Sequence, residues 1–152
     1  MIGTSHDRHF YEIGFTITLR HNSGAHSHVS ACKRNFIDDR ELRALGDLGS
    51  YVSKTIDIQA QDIFAGKRPV DNLERWGFEP KENWGILATE NGRKVIPSEQ
   101  GRYHDYYEAF ADAVKTGGEP PVTAAIGART LVVLDAARQS ALEGRSITVE
   151  GN

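Results

Sequence analysis

The segment Glu12–Arg20, which reads EIGFTITLR, alternates apolar with polar or small side chains without a break. Its apolar positions are Ile13, Phe15, Ile17 and Leu19. Successive side chains of a strand point to opposite faces, so a period of two predicts a strand with one buried face and one open face. The open face carries Gly14, Thr16 and Thr18, and such side chains suit either solvent or a flat protein contact.

The residues after this strand continue the β pattern. His21–Gly24 supplies turn residues and Ala25–Lys33 is again β-like, which predicts a hairpin. Two further β-like runs, Leu42–Leu45 and Ser50–Ser53, flank the turn sequence Gly46–Gly49. The first third of the chain is therefore predicted to be mainly antiparallel sheet.

The middle third mixes a short helix, a loop and a hairpin. Asp57 is placed to cap a helix that stops at Gly66, and residues 67–82 lack a clean period, which predicts an ordered loop. Asn91-Gly92 lies between two β-like runs, Trp84–Thr89 and Lys94–Ile96, and this dipeptide favours a tight hairpin.

The last third is helical. Apolar residues recur at intervals of three and four from Tyr103 to Val114, ahead of Gly117, and a second amphipathic helix is predicted from the cap Thr123 to Gly144. Ser146–Val149 then predicts a short terminal strand at a sheet edge. Strands first and helices last indicate an α+β fold, with helices packed on one face of a mainly antiparallel open sheet. With 152 residues, we expect a single domain over residues 1–152.

Composition excludes several classes of partner. The net charge is -3 and no stripe of Lys and Arg dominates, so nucleic acid is not an expected partner. Apolar runs fall well short of the roughly 20 residues that span a bilayer, so no membrane partner is expected. Cys32 is the single cysteine and the first residues lack the pattern of a secretory leader, so a cytoplasmic location is expected.

Standard catalytic and cofactor motifs are absent from the sequence. A dinucleotide site needs a glycine-rich turn between a strand and a helix, because the backbone must approach the pyrophosphate closely. Gly46–Gly49 lies between β-like runs and Gly117-Gly118 follows a helix, so both are interpreted as a turn and a cap. No cofactor is expected to bind this chain.

His26 and His28 would point to one side of a strand, with Cys32 further along it. They could begin a metal site, but no third ligand is placed by the sequence, and solvent-facing or interface histidines are the favoured interpretation. We therefore predict no metal site. His104 is expected to lie at the surface in a loop or terminal context.

The aromatic residues have a structural and a ligand-binding interpretation. The helical spacing of Tyr103, Tyr106 and Tyr107 favours core packing with the hydroxyls at the rim over contact with a substrate. Trp76 and Trp84 are expected to fix the long loop to the domain, and an aromatic wall for a sugar-like ligand is the alternative.

Several strings occur in an order that resembles a known family. They are Phe15–Arg20 with its glycine turn, Gly46–Val52, Asp57–Gln59 leading to Ala65–Pro69, Glu82–Gly85, Gly101–Tyr107 with Phe110, and Pro120–Val122 leading to Ala136–Arg138 and Glu143–Arg145. Together they resemble the C-terminal domain of the glucose-fructose oxidoreductase, inositol dehydrogenase and MocA family, over nearly the whole chain.

The resemblance implies a division of labour. Family members have an N-terminal Rossmann domain that binds NAD or NADP, and a C-terminal domain whose open sheet shapes a pocket for sugars, inositols or related polyols and often forms the dimer interface. The family's catalytic lysine and its proton-transfer residues lie upstream of anything that this chain matches. The resemblance therefore assigns no catalytic residue here, and it implies a homodimer through the open sheet face.

Three polar residues remain as candidates for lining a substrate pocket: Lys54, Asp57 and Gln59. In similar sequences a lysine follows the glycine-serine-aromatic stretch, whereas here Ser53 stands at that place and Lys54 comes one residue later. The alternative is that Asp57 is only a helix cap and Lys54 a solvated lysine.

Three functions follow as hypotheses. The first is a substrate-binding and oligomerisation domain of an NAD(P)-dependent oxidoreductase, inactive without its Rossmann domain. The alternative is a stand-alone ligand-binding or dimerisation module that lost the oxidoreductase chemistry. A weaker third hypothesis is a small metal-dependent enzyme built around His26 and His28.

Overall fold

The computed structural model describes residues 4–6, 12–37, 40–54 and 56–150. The order of elements is β1 Thr4–His6, β2 Glu12–Arg20, β3 His26–Cys32, β4 Glu41–Gly46, β5 Gly49–Lys54, α1 Ile58–Phe64, β6 Gly85–Thr89, β7 Gly92–Ile96, α2 Tyr103–Thr116 and α3 Ala124–Glu143. Short 3-10 turns lie at Pro69–Asp71 and Lys81–Asn83. The α+β class and the antiparallel pairing predicted from the sequence are confirmed.

Among these described residues the strands form two sheets, one in the order β1-β2-β3 and one in the order β4-β5-β6-β7. Two compact units contain them: residues up to Ile37 together with those from Val122 onward, and the residues between. The expectation of a single domain stays a prediction. No helix in the described part of the chain is both long and apolar enough to span a bilayer.

The first unit contains the hairpin of β2 and β3. Thr18 pairs with His28 across it, and Gly24, with φ of 89°, closes the turn in a conformation that glycine adopts without strain. Ile17 is buried, while Thr16 and Thr18 on the opposite face are exposed. The period of two in EIGFTITLR therefore produces the half-buried strand that it predicts.

Helix α3 begins and ends where its caps predict. The Thr123 hydroxyl accepts the Ile126 N–H at 3.3 Å, and Gly144 ends the helix in the left-handed region with φ of 65°. The terminal strand predicted at Ser146–Val149 is wrong, because residues 145–150 have no regular secondary structure. Alternating side chains form a strand only where a neighbouring strand offers an edge, and the local sequence does not supply that partner.

The second unit is built on the sheet of β4 to β7. Thr89 pairs with Gly92, whose φ of 113° allows the tight turn predicted by Asn91-Gly92. Helix α2 ends at Gly117, again in the left-handed region, as predicted. The segment from Lys67 to Trp84 carries the two 3-10 turns and returns the chain to β6. This unit contains the candidate site.

Candidate functional site

Asp57 joins the beginnings of two helices. One of its carboxylate oxygens accepts the Ala60 N–H at 3.0 Å and so caps α1, which needs partners for its first N–H groups. The other oxygen accepts the hydroxyl of Tyr103 at 2.8 Å, and Tyr103 is the first residue of α2. A residue that the sequence identifies as a cap and a candidate pocket residue therefore also fixes a tyrosine 46 positions away.

Gln59 is the second residue of α1 and is 4% exposed. Its amide oxygen accepts two hydrogen bonds, from the Trp76 indole N–H at 3.0 Å and from the Tyr103 backbone N–H at 3.1 Å. A buried amide must satisfy its polar atoms within the protein, because an unmade hydrogen bond there is costly. Gln59 thus connects α1, the loop that carries Trp76, and the first turn of α2.

Two glycines let the chain cross itself beside Gln59. The Gly101 N–H donates to the Gly77 carbonyl at 2.8 Å. A Cβ on Gly77 would lie 2.1 Å from the Gly101 carbonyl oxygen, and a Cβ on Gly101 would lie 2.6 Å from the Gln59 amide nitrogen. Gly77 also has φ of 76°, which disfavours side chains. Gly77 is therefore restricted to glycine by backbone and space, and Gly101 by space alone.

These residues line one side of an open cleft of about 440 Å³ within the second unit. Its polar lining comes from Lys54, Asp57, Gln59, Glu79, Glu99 and Tyr103, and its remaining lining from Ile56, Ile58, Gly77 and Gly101. A volume of this order suits a small ligand such as a single ring. Lys54, at the end of β5, is the one cation among these lining residues, against three carboxylates.

The hydrogen bond between Asp57 and Tyr103 fixes their protonation states. The Ala60 N–H, and after it the Tyr103 hydroxyl, lower the pKa of the Asp57 carboxyl, because both stabilise its charged form. The same bond raises the pKa of the Tyr103 phenol, since losing its proton would place two anions side by side. At neutral pH the pair is therefore a carboxylate that accepts and a neutral phenol that donates.

The structure brings Lys54, Asp57 and Gln59 together along the cleft. The sequence did not assign Tyr103, Glu79 and Glu99 to it, because the helical spacing of Tyr103 indicated core packing and the two glutamates lie in irregular segments. The interpretation of Trp76 as a loop-fixing residue is confirmed, because Trp76 is buried against Gln59 of α1. The Trp84 indole donates to the Glu79 carbonyl at 3.3 Å, a bond within the loop itself, so the same interpretation of Trp84 stays a prediction.

Two expectations about α2 are wrong. Tyr103, Tyr106 and Tyr107 were expected in the core but are exposed. Tyr106 packs edge to face on Tyr107 and stacks on Phe110 at 6.3 Å. His104 was expected at the surface outside the helix, yet it lies in the first turn of α2 with a side chain 12% exposed. The helical period gives the positions that share a face, but it does not say which face is covered.

The histidines of β3 do not gather into a metal site. His28 Nδ1 lies 3.1 Å from the Thr18 hydroxyl, its cross-strand neighbour, and His26 is exposed opposite Arg20. Within the described ranges, no three side chains of His, Cys, Asp or Glu come together to hold a metal ion. The hypothesis of a metal-dependent enzyme around His26 and His28 gains no support.

The described glycines do not fit a dinucleotide cofactor either. Gly46 and Gly49 join two antiparallel strands, and Gly117 ends a helix rather than beginning one. In the part of the chain that the structure describes, neither pair therefore forms the turn from a strand into a helix that receives a pyrophosphate. We derive no cofactor chemistry from this chain's residues.

A sequence profile described as "Oxidoreductase family, C-terminal alpha/beta domain", of the Gfo/Idh/MocA group, matches residues 4–149. Scyllo-inositol 2-dehydrogenase (NADP(+)) IolW of Bacillus subtilis strain 168 is 34% identical over 109 residues, which are 69% of this chain and 30% of that protein. The oxidoreductase YdgJ of Escherichia coli K12 is 29% identical over 100 residues, which are 63% of this chain and 28% of that protein.

A solved structure gives the same result. The chain superposes on YvaA of Bacillus subtilis with a TM-score of 0.83 and 26% identity, over 98% of this chain and 46% of that one. The chain therefore belongs to the Gfo/Idh/MocA oxidoreductase family and corresponds to its C-terminal domain. It spans about a third of the curated relatives that it matches and less than half of YvaA.

Proposed function

We propose that this chain is the substrate-binding and oligomerisation domain of a cytoplasmic NAD(P)-dependent oxidoreductase that acts on a sugar, an inositol or a related polyol. The observation that carries the proposal is the cleft, where Lys54, Asp57 and Gln59 meet Tyr103. The name of the relative IolW, a scyllo-inositol dehydrogenase, supports the choice of substrate class.

The cleft offers the groups that a polyol needs. Polyol rings present many hydroxyls, each of which must regain a hydrogen bond when it leaves water. Asp57 accepts such bonds on its carboxylate, Tyr103 accepts them on its phenol oxygen, and the Lys54 ammonium donates them. Ile56 and Ile58 add apolar lining that can contact the ring's C–H groups.

The three residues predicted from the sequence divide into two roles. Lys54 and Asp57 carry charged groups at the cleft and would contact the ligand. Gln59 is buried and uses its amide oxygen on Trp76 and Tyr103, so we assign it as a positioning residue that holds Tyr103 in place. Removing the Gln59 amide would weaken ligand binding indirectly, because Tyr103 would no longer be held in place at the cleft.

The chemical step would belong to another part of a complete enzyme. The family resemblance implies that the hydride acceptor and the catalytic lysine would lie upstream, and the residues here would bind and orient the polyol. We therefore expect this chain by itself to bind polyols without oxidising them. In a complete enzyme, NAD or NADP would come with the Rossmann domain.

We place the proposed homodimer on the open face of the second sheet, and not on the face of β2 that carries Gly14, Thr16 and Thr18. Val52, Ile86 and Val95 lie in one cross-strand row that begins at Arg43, and Leu45 lies beside Ser50 on the same face. Ile86, Val95 and Leu45 are 45%, 54% and 70% exposed, which is much for apolar side chains gathered on one surface. A second copy of this face would cover it by two-fold packing.

The test is a calorimetric titration of the chain with scyllo-inositol, NAD(H) and NADP(H), beside sedimentation of the free chain. We expect binding of scyllo-inositol, no binding of either dinucleotide, and the mass of a dimer. Asp57→Ala should abolish polyol binding, while Asp62→Ala, in the same helix but outside the cleft, should keep it.

Two results would contradict the proposal in different ways. Tight dinucleotide binding would mean that the chain contains a cofactor site that no glycine turn provides. A dimer that binds neither class of ligand would favour the alternative, a dimerisation module that lost the oxidoreductase chemistry.

A further inference from the structure

The charge of the cleft restricts the ligand more narrowly than "polyol". We infer that the cleft accepts uncharged and amine-bearing polyols and rejects those that carry a carboxylate or a phosphate, because three carboxylates and a single ammonium line it. This inference rests on the proposed function, since it concerns the ligand of that same cleft.

The carboxylates of the cleft are not neutralised by partners. In the described residues, the ion pairs found within 4 Å include neither Glu79 nor Glu99, whereas Asp62, in the same unit, pairs with Lys67. Arg40 adds a favourable field at Asp57, but this is the weakest of the influences on that carboxyl. With Arg40 counted beside Lys54, three negative charges still face two positive ones.

The hydrogen-bonding groups of the cleft point to the same ligand. Tyr103 commits its hydroxyl proton to Asp57, so its oxygen is left to accept. The Ser98 hydroxyl donates to the Glu79 carboxylate, whose remaining lone pairs are acceptors for a ligand. The cleft is thus rich in acceptors, and a ligand that matches it must bring O–H or N–H donors.

A carboxylate or phosphate on the ligand matches neither the charge of the cleft nor its hydrogen-bonding groups. It brings acceptors to a surface that already has them, and its charge meets like charges at short range. An ammonium group brings three donors and a favourable charge. The expected order of affinity is therefore an amino sugar first, its neutral parent second, and the corresponding acid last.

The test uses three rings of the same size and shape: glucosamine, glucose and glucuronate. Each is titrated into the ¹⁵N-labelled chain at low salt, and the amide shifts of Gly101 and Tyr103 report binding at the cleft. We expect glucuronate to bind at least about tenfold more weakly than glucose, a difference that a like charge at contact distance can produce. Added salt should shrink this difference.

Matched variants isolate the charge. Glu99→Gln should reduce the ratio of the glucose affinity to the glucuronate affinity by about threefold. The substitution removes one charge of the cleft and keeps its shape. Glu90→Gln makes the same change in net charge in the turn between β6 and β7, outside the cleft, and should leave this ratio unchanged.

The outcomes separate the inference from the proposed function. Glucuronate binding as tightly as glucose would overturn the inference and leave the polyol cleft standing. If Glu90→Gln reduces the affinity ratio of glucose to glucuronate as much as Glu99→Gln does, the inference would also be overturned. The preference for glucose would then come from the net charge of the chain and not from the cleft. No shift with glucose, glucosamine or scyllo-inositol would overturn both.

Discussion

The phenol of Tyr103 donates to the carboxylate of Asp57 at 2.8 Å, so that the first residue of α2 is held by the residue that caps α1. Both groups also line the cleft. The pair therefore couples the stability of this region to the shape of the proposed binding site, and each partner can be removed separately.

Replacing Asp57 by Ala removes both a helix cap and the acceptor for Tyr103. We expect Asp57→Ala to lower the free energy of unfolding by about 1–2 kcal/mol, the usual cost of losing such a cap. Asp57→Asn should keep most of the stability, since an amide oxygen still accepts from Ala60. Urea denaturation of the two variants measures the difference, and equal losses would contradict the capping role.

Replacing Gln59 by Leu leaves two donors without an acceptor, the Trp76 indole N–H and the Tyr103 backbone N–H. Each buried donor left unpaired costs about 1–3 kcal/mol, so Gln59→Leu should destabilise the protein by several kcal/mol. Gln61→Leu, at an exposed position of the same helix, is the control and should change the unfolding free energy little. A similar loss in both variants would show that α1 tolerates no leucine at all.

Stability should fall at both ends of the pH range through this pair. The pKa of Asp57 is below its ordinary value of 3.8, so its contribution is present above that value and is lost as pH falls through the lowered pKa. The pKa of Tyr103 is above its ordinary value of 10.0, so its contribution is present below that value and is lost as pH rises through the raised pKa.

The measurement for this pair is the unfolding free energy as a function of pH. Tyr103→Phe should remove this pair's loss of unfolding free energy at alkaline pH. It should also reduce the loss at acid pH, because it removes one hydrogen-bond partner of Asp57. Tyr106→Phe, in the same helix and without influence on the pKa of Tyr103, should retain both. An unchanged alkaline profile in Tyr103→Phe would contradict the hydrogen bond.

Two glycines with similar backbone angles should respond differently to alanine. Gly66 and Gly77 have φ of 82° and 76°, but a Cβ on Gly66 meets open space, whereas a Cβ on Gly77 meets the Gly101 carbonyl. Gly66→Ala should cost about 1 kcal/mol for the left-handed conformation alone. Gly77→Ala should cost about 2 kcal/mol more, because the chain crossing must open. An equal decrease in the melting temperature of the two variants would show that the chain can move apart at Gly77 and Gly101 at little cost.

The proposed homodimer predicts the effect of a charge on the open sheet face. Val95→Glu should convert the dimer to a monomer in sedimentation, since a carboxylate would be buried in the contact. Val70→Glu, at an exposed position in a 3-10 turn, is the matched control and should leave the mass unchanged. A dimer that persists in Val95→Glu would place the contact elsewhere.

Local chemistry accounts for what the sequence predicted well. The ends of α1, α2 and α3 follow from glycines at positions 66, 117 and 144, and the hairpins follow from the glycines at 24 and 92, because each of these five residues has the positive φ that the turn or cap requires. Asp57 and Thr123 are caps that can be identified from residue type, because each stands directly before a helical segment. Such features depend on a few neighbouring residues only.

Contacts between distant segments account for what was missed. Tyr103 reaches Asp57 across 46 positions, and no local pattern distinguishes that hydroxyl from those of Tyr106 and Tyr107. The strand predicted at Ser146–Val149 needed a partner edge that its own residues could not reveal. Glu79 and Glu99 come to the cleft from irregular segments, whose course follows no period.

The indole of Trp76 is a built-in optical probe of the cleft. It is buried and bonded to Gln59, which in turn holds the backbone of Tyr103, so a ligand that shifts Tyr103 alters the polarity around this fluorophore. The only other tryptophan is Trp84, and Trp84→Phe would leave a single emitter. Ligands of this domain can then be screened by the change in Trp76 fluorescence, without a label and without a cofactor.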